Sequence, residues 1–162
     1  MTTTQPEEQP VIHNTFVIER SYPKPPETVF AAFADPARRR RWFAEGRNHD
    51  VDEFKADFRL GGTERIVYRF GPNTPFPGTP LVNEGIYLQI IPDSCIVMSS
   101  AMDLGGKRIS ASLLTILLVP SATGTDLICT HQGAFFEGSG GPEMREAGWR
   151  SLFDNLGEEL AR

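Results

Sequence analysis

The chain has 162 residues, which is enough for one domain with its own hydrophobic core and without a metal or a disulfide to stabilise it. Hydrophobic residues make up 40% of the sequence and charged residues 23%, and these fractions exclude a fully disordered protein. The formal net charge of −5 argues against a nucleic-acid partner, because a phosphate backbone is bound by positively charged surfaces.

The hydrophobic stretches are too short for a membrane-spanning helix. The longest, around residues 113–119, falls far below the roughly 20 residues that cross a bilayer, and no apolar segment typical of a secretory signal follows Met1. We therefore expect a cytoplasmic protein without membrane insertion. Cys95 and Cys129 match no zinc or redox spacing and lie in apolar stretches, so we expect both to be buried free thiols.

Residues 1–10 carry no large apolar side chain after the first residue, and we expect a disordered tail there, ahead of a single domain over residues 11–162. A first strand is predicted over residues 12–20, before a group of prolines. The segment rich in proline and glycine over residues 71–80 is predicted to be a loop between two strands, because neither flank alone could form a core.

Two short helices are predicted after the first strand. Apolar residues recur at helical spacing over residues 27–34 and indicate the first helix. Asp35 is a typical helix N-cap and Pro36 a typical first helical residue, so a second helix is predicted to run to about Phe43. Its four consecutive arginines, residues 38–41, occupy a full turn, and we expect them to lie mainly in solvent.

Strand patterns then dominate, and the short turns between them predict antiparallel pairing. They cover residues 51–58, 63–70, 83–91, 95–103, 107–119 and 125–132. The last segment, residues 142–162, predicts a long helix. One of its faces is apolar: Trp149, Leu152, Phe153, Leu156 and Leu160. Arg145 is assigned to the opposite face. The predicted class is α+β, with the long helix covering a curved seven-stranded antiparallel sheet.

Five short motifs stand in a characteristic order along the chain. They are Phe33-Ala34-Asp35-Pro36 leading to Trp42-Phe43, then Leu60-Gly61-Gly62, the segment from Gly85 to Pro92, Cys129-Thr130-His131-Gln132-Gly133, and Gly148-Trp149 with Leu152 and Leu156. Together with the order of elements, they resemble the START-like (SRPBCC) superfamily and its helix-grip fold. Within it, the chain resembles the branch named after the activator of Hsp90 ATPase. The resemblance covers residues 16–160.

Strand alternation indicates which side chains face the long helix. The inward set on the strand over residues 83–91 is predicted to be Ile86, Leu88 and Ile90. With the resemblance, this alternation predicts a hydrophobic cavity, reached near Trp42, Phe135 and Trp149. The expected ligand-binding residues are Trp42, Tyr68, Met98, Ser100, Met102, Ser112, Leu114, His131, Phe135, Trp149 and Phe153. The same residues also fit an ordinary filled core.

Glu64 and His131 are the candidates for chemistry on this inner face. A buried carboxylate at Glu64 could act as a base or bind a polar ligand atom, but we favour a strand-end residue that reaches solvent or pairs with Arg65 or Arg108. His131 could bind ligand or transfer protons near neutral pH. Its structural alternative, which we favour, is a core histidine hydrogen-bonded to backbone or a hydroxyl.

The remaining motifs give weaker indications of function. No metal-binding spacing and no G-x-S-x-G nucleophile motif is present, so we expect no metal and no cofactor. The glycine-rich residues 138–141 lack the lysine of a phosphate-binding loop and indicate a lid or hinge instead. Phe135 and Phe136 beside them either close the cavity or cap the edge of the core.

These observations lead to three interpretations. The first is a protein that binds a lipid-like or aromatic small molecule between sheet and helix. The resemblance implies that such a cavity can also carry polyketide cyclase-like catalysis, with Glu64 and His131 as candidates. The second interpretation, also implied by the resemblance, is a cochaperone-like partner of an Hsp90-type ATPase. The third is a filled core without a cavity. We favour the first, as a binding protein rather than an enzyme, and leave a homodimer open.

Overall fold

The computed structural model describes residues 10–162, so residues 1–9 of the predicted tail lie outside the described part of the chain. It confirms the α+β class and a helix-grip architecture. The seven strands are β1 (Ile12–Tyr22), β2 (His49–Ala56), β3 (Thr63–Phe70), β4 (Pro80–Ile91), β5 (Cys95–Leu104), β6 (Lys107–Ser121) and β7 (Gly124–Phe135). They form one antiparallel sheet in the order β1-β7-β6-β5-β4-β3-β2.

The helices lie close to their predicted positions. Helix α1 spans Pro26–Ala34, α2 spans Pro36–Arg39 and continues into a π-helical turn, Arg40–Ala44, and α3 spans Gly141–Leu160. The side chain of Asp35 accepts a hydrogen bond from the backbone N–H of Ala37 at 2.9 Å, which caps α2 as its sequence predicts. None of the helices within residues 10–162 is long and apolar enough to cross a membrane.

Helix α3 is fixed to the sheet at β1. Tyr22 donates a hydrogen bond from its hydroxyl to the carbonyl of Phe153 at 2.8 Å, and Arg20 pairs with Asp154 at 2.5 Å. The apolar face of α3 then packs on the inner face of the sheet. The core combines β-strand residues with aromatic and aliphatic residues from all three helices; its most deeply buried large side chains include Ile18, Val29, Trp42, Ile66, Tyr87, Ile116, Leu127, Phe153 and Leu156.

The predicted inward set on β4 is wrong at two positions. Ile86 and Leu88 are exposed on the outer face of the sheet, whereas Gly85 and Tyr87 face inward. The pairing of β4 with β5 shifts register between Tyr87 and Gln89, and such a bulge reverses the alternation beyond it. Ile90 is partly buried because it lies after the shift.

The prediction that the arginine run lies mainly in solvent is wrong for Arg39, which is 2% exposed. The helical turn that carries it faces the sheet, so one of four consecutive arginines must point inward. Its neighbour Arg41 bridges to α3, where Glu159 accepts hydrogen bonds from its guanidinium at 2.5 to 3.2 Å. Both cysteines are free thiols; Cys129 is buried as expected, but Cys95 is only partly buried.

Candidate functional site

A cavity of about 480 Å³ lies between the inner face of the sheet and the N-terminal half of α3. Strands β2 to β7, the loop before β4, the residues before α3 and one face of α3 all contribute to its wall. Its apolar lining comprises Phe43, Tyr68, Phe70, Phe76, Leu81, Met98, Met102, Leu104, Ile109, Leu114, Met144, Trp149 and Leu152. The polar side chains in the wall are those of His49, Glu64, Asn83, Ser100, Ser112, His131, Ser139 and Arg145.

The cavity exists because a row of small residues crosses four neighbouring strands. Gly85 pairs with Ser100, Ser100 with Ser112, and Ser112 with Gly133. Large side chains such as Met98 stand in the adjacent rows. The methyl of Met98 covers Gly85, and the rings of His131 and Phe135 cover Gly133, so the two serines of the row face the open volume.

Glu64 is buried and paired, but its partner is Arg39 rather than the predicted Arg65 or Arg108, and it does not reach solvent. Both Nε and a terminal nitrogen of Arg39 donate to the two carboxylate oxygens of Glu64, the latter at 2.8 Å, and the hydroxyl of Tyr87 donates at 2.7 Å. Burial is the largest single influence and lowers the pKa of Arg39, but the charge and hydrogen bond of Glu64, together with Tyr87 and Tyr68, outweigh it and the net direction is upward. Three donors therefore hold Glu64 in the cavity wall.

His131 is 1% exposed and lies with its ring stacked on that of Phe16, at 4.6 Å between centroids and 3° between planes. Its Nδ1 is buried and has no hydrogen-bond partner among residues 10–162, so the favoured alternative of a hydrogen-bonded core histidine is wrong at this atom. Burial, helped by the positive charge of Arg145, lowers its pKa to about 4. At neutral pH the imidazole is therefore uncharged, and its Nδ1 is enclosed by protein atoms.

Two hydrogen bonds organise the wall around the serine row. Ser100 donates to the amide oxygen of Asn83 at 2.6 Å, across β5 and β4. At the α2 side, His49 stacks edge-on against Tyr68 at 5.0 Å and its Nε2 lies 2.6 Å from the carbonyl of Ala44. These contacts leave the hydroxyl of Ser112 as a polar group of the lining without a protein hydrogen-bond partner in the described chain.

The mouth of the cavity differs from the predicted one. Phe76, on the loop before β4, is 50% exposed, and Met144, in the first turns of α3, is 65% exposed; both belong to the lining. Trp42 and Phe135, by contrast, are each 1% exposed and cannot form an entrance. Gly148 lies on α3 at the lining, and a Cβ built there would meet nothing within 4 Å, so it leaves space open above the cavity.

Eight of the eleven residues predicted to bind ligand line the cavity: Tyr68, Met98, Ser100, Met102, Ser112, Leu114, His131 and Trp149. The other three support its wall from behind. Trp42 donates from its indole N–H to the carbonyl of Ala32 at 2.8 Å, Phe153 is fully buried under α3, and Phe135 packs beside His131. Whether the eight contact a ligand stays a prediction.

Several lining residues were not predicted. The sequence predicts Arg145 on the solvent side of the last helix, and it predicts Phe76 and His49 to lie in loops, but all three line the cavity. For Arg145 the sequence held a usable signal: it stands four residues before Trp149, and residues four apart share a helix face. Nothing in the sequence places the loop residue Phe76 over the sheet.

The fold and the hollow under α3 define a helix-grip protein with an internal cavity. A family model described as "Activator of Hsp90 ATPase homolog 1-like protein" matches residues 23–161. The chain belongs to this family, a branch of the SRPBCC superfamily, as its motifs indicated. No curated protein matches the sequence.

Solved structures show the same architecture over nearly the whole chain. A protein from Rhizobium leguminosarum is 33% identical, with a TM-score of 0.88 over 95% of this chain and 98% of its own. One from Rhizobium loti is 44% identical, with a TM-score of 0.83 over 93% and 99%. An AHSA1-like protein from Aeromonas hydrophila is 20% identical, with a TM-score of 0.67 over 91% and 92%, a likeness that concerns the fold alone.

Proposed function

We propose that this protein binds one small, mainly apolar molecule in the cavity between the sheet and α3. The observation that carries the proposal is the cavity itself: about 480 Å³, with most of its wall supplied by aromatic and aliphatic side chains. Ligand sites in proteins have volumes of roughly 300–1,000 Å³ and combine such walls with a few polar groups. A well-packed core would not leave this volume empty, since protein interiors contain few voids larger than a water molecule.

The polar groups of the wall support binding of a molecule with some polar atoms. Ser112 has a hydroxyl in the lining, and Arg145 presents a guanidinium. An apolar body would fill the space beside Tyr68 and Trp149. The ligand gains its binding free energy mainly from apolar area removed from water, and the polar groups orient it.

The family is compatible with two other roles. Its name, activator of Hsp90 ATPase homolog, supports a cochaperone-like function, and copurification of an Hsp90-type ATPase in pull-downs with and without nucleotide would favour it. A polyketide cyclase-like activity would need a free acid or base. Glu64 already accepts three hydrogen bonds, which favours a structural role, and the lowered pKa of His131 makes its imidazole a weak proton acceptor. Neither role makes use of the cavity as directly as ligand binding does.

A neutral fluorescent probe tests the proposal. N-phenyl-1-naphthylamine is apolar, fits a cavity of this size and becomes bright in apolar surroundings. We expect saturable binding with one site per chain, and competition by alkanols and aromatic hydrocarbons. Absence of saturable binding would contradict the proposal, and so would binding that persists only after the protein has lost its folded circular dichroism signal.

A further inference from the structure

Arg145 lines the cavity and has no counter-ion among residues 10–162. It lies one turn into α3 and contributes to the lining. One of its terminal nitrogens donates to the hydroxyl of Ser110 at 2.7 Å, and its guanidinium lies 5.3 Å from the ring centre of Phe135. Within residues 10–162, no carboxylate forms an ion pair with it. A guanidinium has five N–H donors, so most of them remain available.

Arg39, which is fully buried, shows how the fold holds a charge that serves only the structure, whereas Arg145 is partly buried. Arg39 is neutralised by Glu64 through two hydrogen bonds. Arg145 has only a hydroxyl and an aromatic ring, and its burial lowers its pKa to about 10, which keeps it protonated at neutral pH. A desolvated charge without a partner costs free energy, and proteins seldom retain one without a use for it.

The charges around the cavity favour an anion. Glu64 also lines it, but its charge is balanced by Arg39, so Arg145 gives the wall a net positive charge. On α3, Glu143 is exposed to solvent and Glu146 pairs with Arg150 at 3.1 Å. The positive end of the 20-residue helix lies beside Arg145 and adds to the attraction.

His131 lies at the same end of the cavity as Arg145. Its ring lies 6.0 Å from that of Phe135, the ring over which the Arg145 guanidinium lies, so both side chains flank one aromatic residue. Burial and the positive charge of Arg145 lower the pKa of His131, so its imidazole is uncharged at neutral pH. The cation that an anion meets at this end of the cavity is therefore Arg145.

We infer that the ligand is an amphipathic organic acid, whose single carboxylate binds Arg145 at the Phe135 end of the cavity and whose apolar body extends along Met98, Met102 and Trp149. The inference rests on the proposed function and adds to it the charge and orientation of the ligand. It also explains why Arg145 can be retained without a protein counter-ion, since the ligand supplies it.

Decanoate and decan-1-ol make a matched pair for the test, because they share the chain length and differ in charge at pH 7. Each is titrated as a competitor of N-phenyl-1-naphthylamine against the wild-type protein and against Arg145→Met, which keeps a flexible, unbranched side chain and removes its charge. We expect decanoate to bind the wild type roughly tenfold more tightly than decan-1-ol, as a charge-assisted bidentate hydrogen bond provides. Arg145→Met should abolish this preference and leave the affinity for decan-1-ol unchanged.

Arg150→Met is the matched control, because it removes an equal charge from the same helix at a surface ion pair. It should keep the full preference for decanoate. Equal affinities of both compounds for the wild type, or a preference that survives Arg145→Met, would overturn the inference while binding in the cavity stands. Failure of the neutral probe to bind the wild type would instead overturn the proposed function, and the inference with it.

The stability of Arg145→Met separates a folding defect from a binding defect. Because the substitution removes a partly buried charge that has no counter-ion, we expect the ligand-free variant to melt at the same temperature as the wild type or higher. Decanoate should raise the melting temperature of the wild type and not that of the variant. A variant that fails to bind the neutral probe would be replaced by Arg145→Lys, which keeps the charge and should retain part of the preference.

Discussion

Arg39 and Glu64 form a bidentate ion pair in the interior of the protein, with side chains 3% exposed on both sides, between α2 and β3. The guanidinium also lies 4.0 Å from the ring centre of Phe43, and Tyr87 completes the coordination of the carboxylate. This pair joins the short helices to the sheet directly beside the cavity. It therefore fixes one wall of the site as well as the position of α2.

Breaking this pair should destabilise the protein strongly. Glu64→Ala leaves the Arg39 charge buried without a partner, and we expect a loss of about 3–5 kcal/mol in the free energy of unfolding. Glu53→Ala, at a solvent-screened ion pair with Arg65, should cost far less than Glu64→Ala. Urea unfolding measures both. The double variant Arg39→Met/Glu64→Leu should recover a large part of the lost free energy of unfolding. If its loss instead equalled the sum of the losses of the two single variants, the two residues would not be coupled.

The depressed pKa of His131 predicts a dependence of stability on pH. Its folded-state pKa is about 4 and its unfolded value about 6.5, so between these values the unfolded chain binds the proton and the native chain does not. Stability from this group is present above pH 6.5 and is lost as pH falls towards 4, by about 3 kcal/mol in all. His131→Phe keeps an aromatic ring against Phe16 and should reduce the slope.

The measurement is a series of urea unfolding curves from pH 7.5 to pH 4 for the wild type and His131→Phe. Carboxylates titrate at the lower end in both proteins, so the difference between the two curves isolates the histidine. Parallel curves over this range would contradict the assignment of a neutral, unpartnered His131.

The two tryptophans report separately on the cavity. Trp149 belongs to its lining, whereas Trp42 is buried behind the wall with its indole bonded to Ala32. Ligand binding should shift the emission of Trp149 because an apolar molecule then contacts its indole ring. We expect Trp42→Phe to retain the change on adding decan-1-ol and Trp149→Phe to lose it. The reverse pattern would place the ligand outside this cavity.

The sequence predicted most of the fold because the signals for it are local. Period-two alternation, the Asp35-Pro36 cap and the apolar face of the last helix each concern a few neighbouring residues. The failures concern contacts between distant segments. Because of the register shift near Tyr87, Ile86 and Leu88 face outward instead of inward as predicted. No neighbouring residue in the sequence indicates this shift.

The site was predicted less completely for the same reason. Ser100 and Ser112 were expected to line the cavity from strand alternation, yet the row that they form with Gly85 and Gly133 depends on the register of four strands. Arg39 and Glu64 are 25 residues apart, and a run of four arginines gave no indication of which one points inward. Arg145 was missed because a charged residue on an amphipathic helix is ordinarily solvent-exposed.

Filling the cavity tests the central claim most directly. Ser112→Phe places a ring in the hollow, and Ala111→Phe adds the same ring at the adjacent exposed position of β6. The measurement is the affinity of N-phenyl-1-naphthylamine for the two variants and the wild type, each confirmed as folded by its thermal transition. We predict that Ser112→Phe lowers the affinity at least about tenfold, the order expected when a core-sized group occupies the site, while Ala111→Phe binds like the wild type. Equal affinity in all three proteins would show that the probe does not occupy this cavity and would contradict the account.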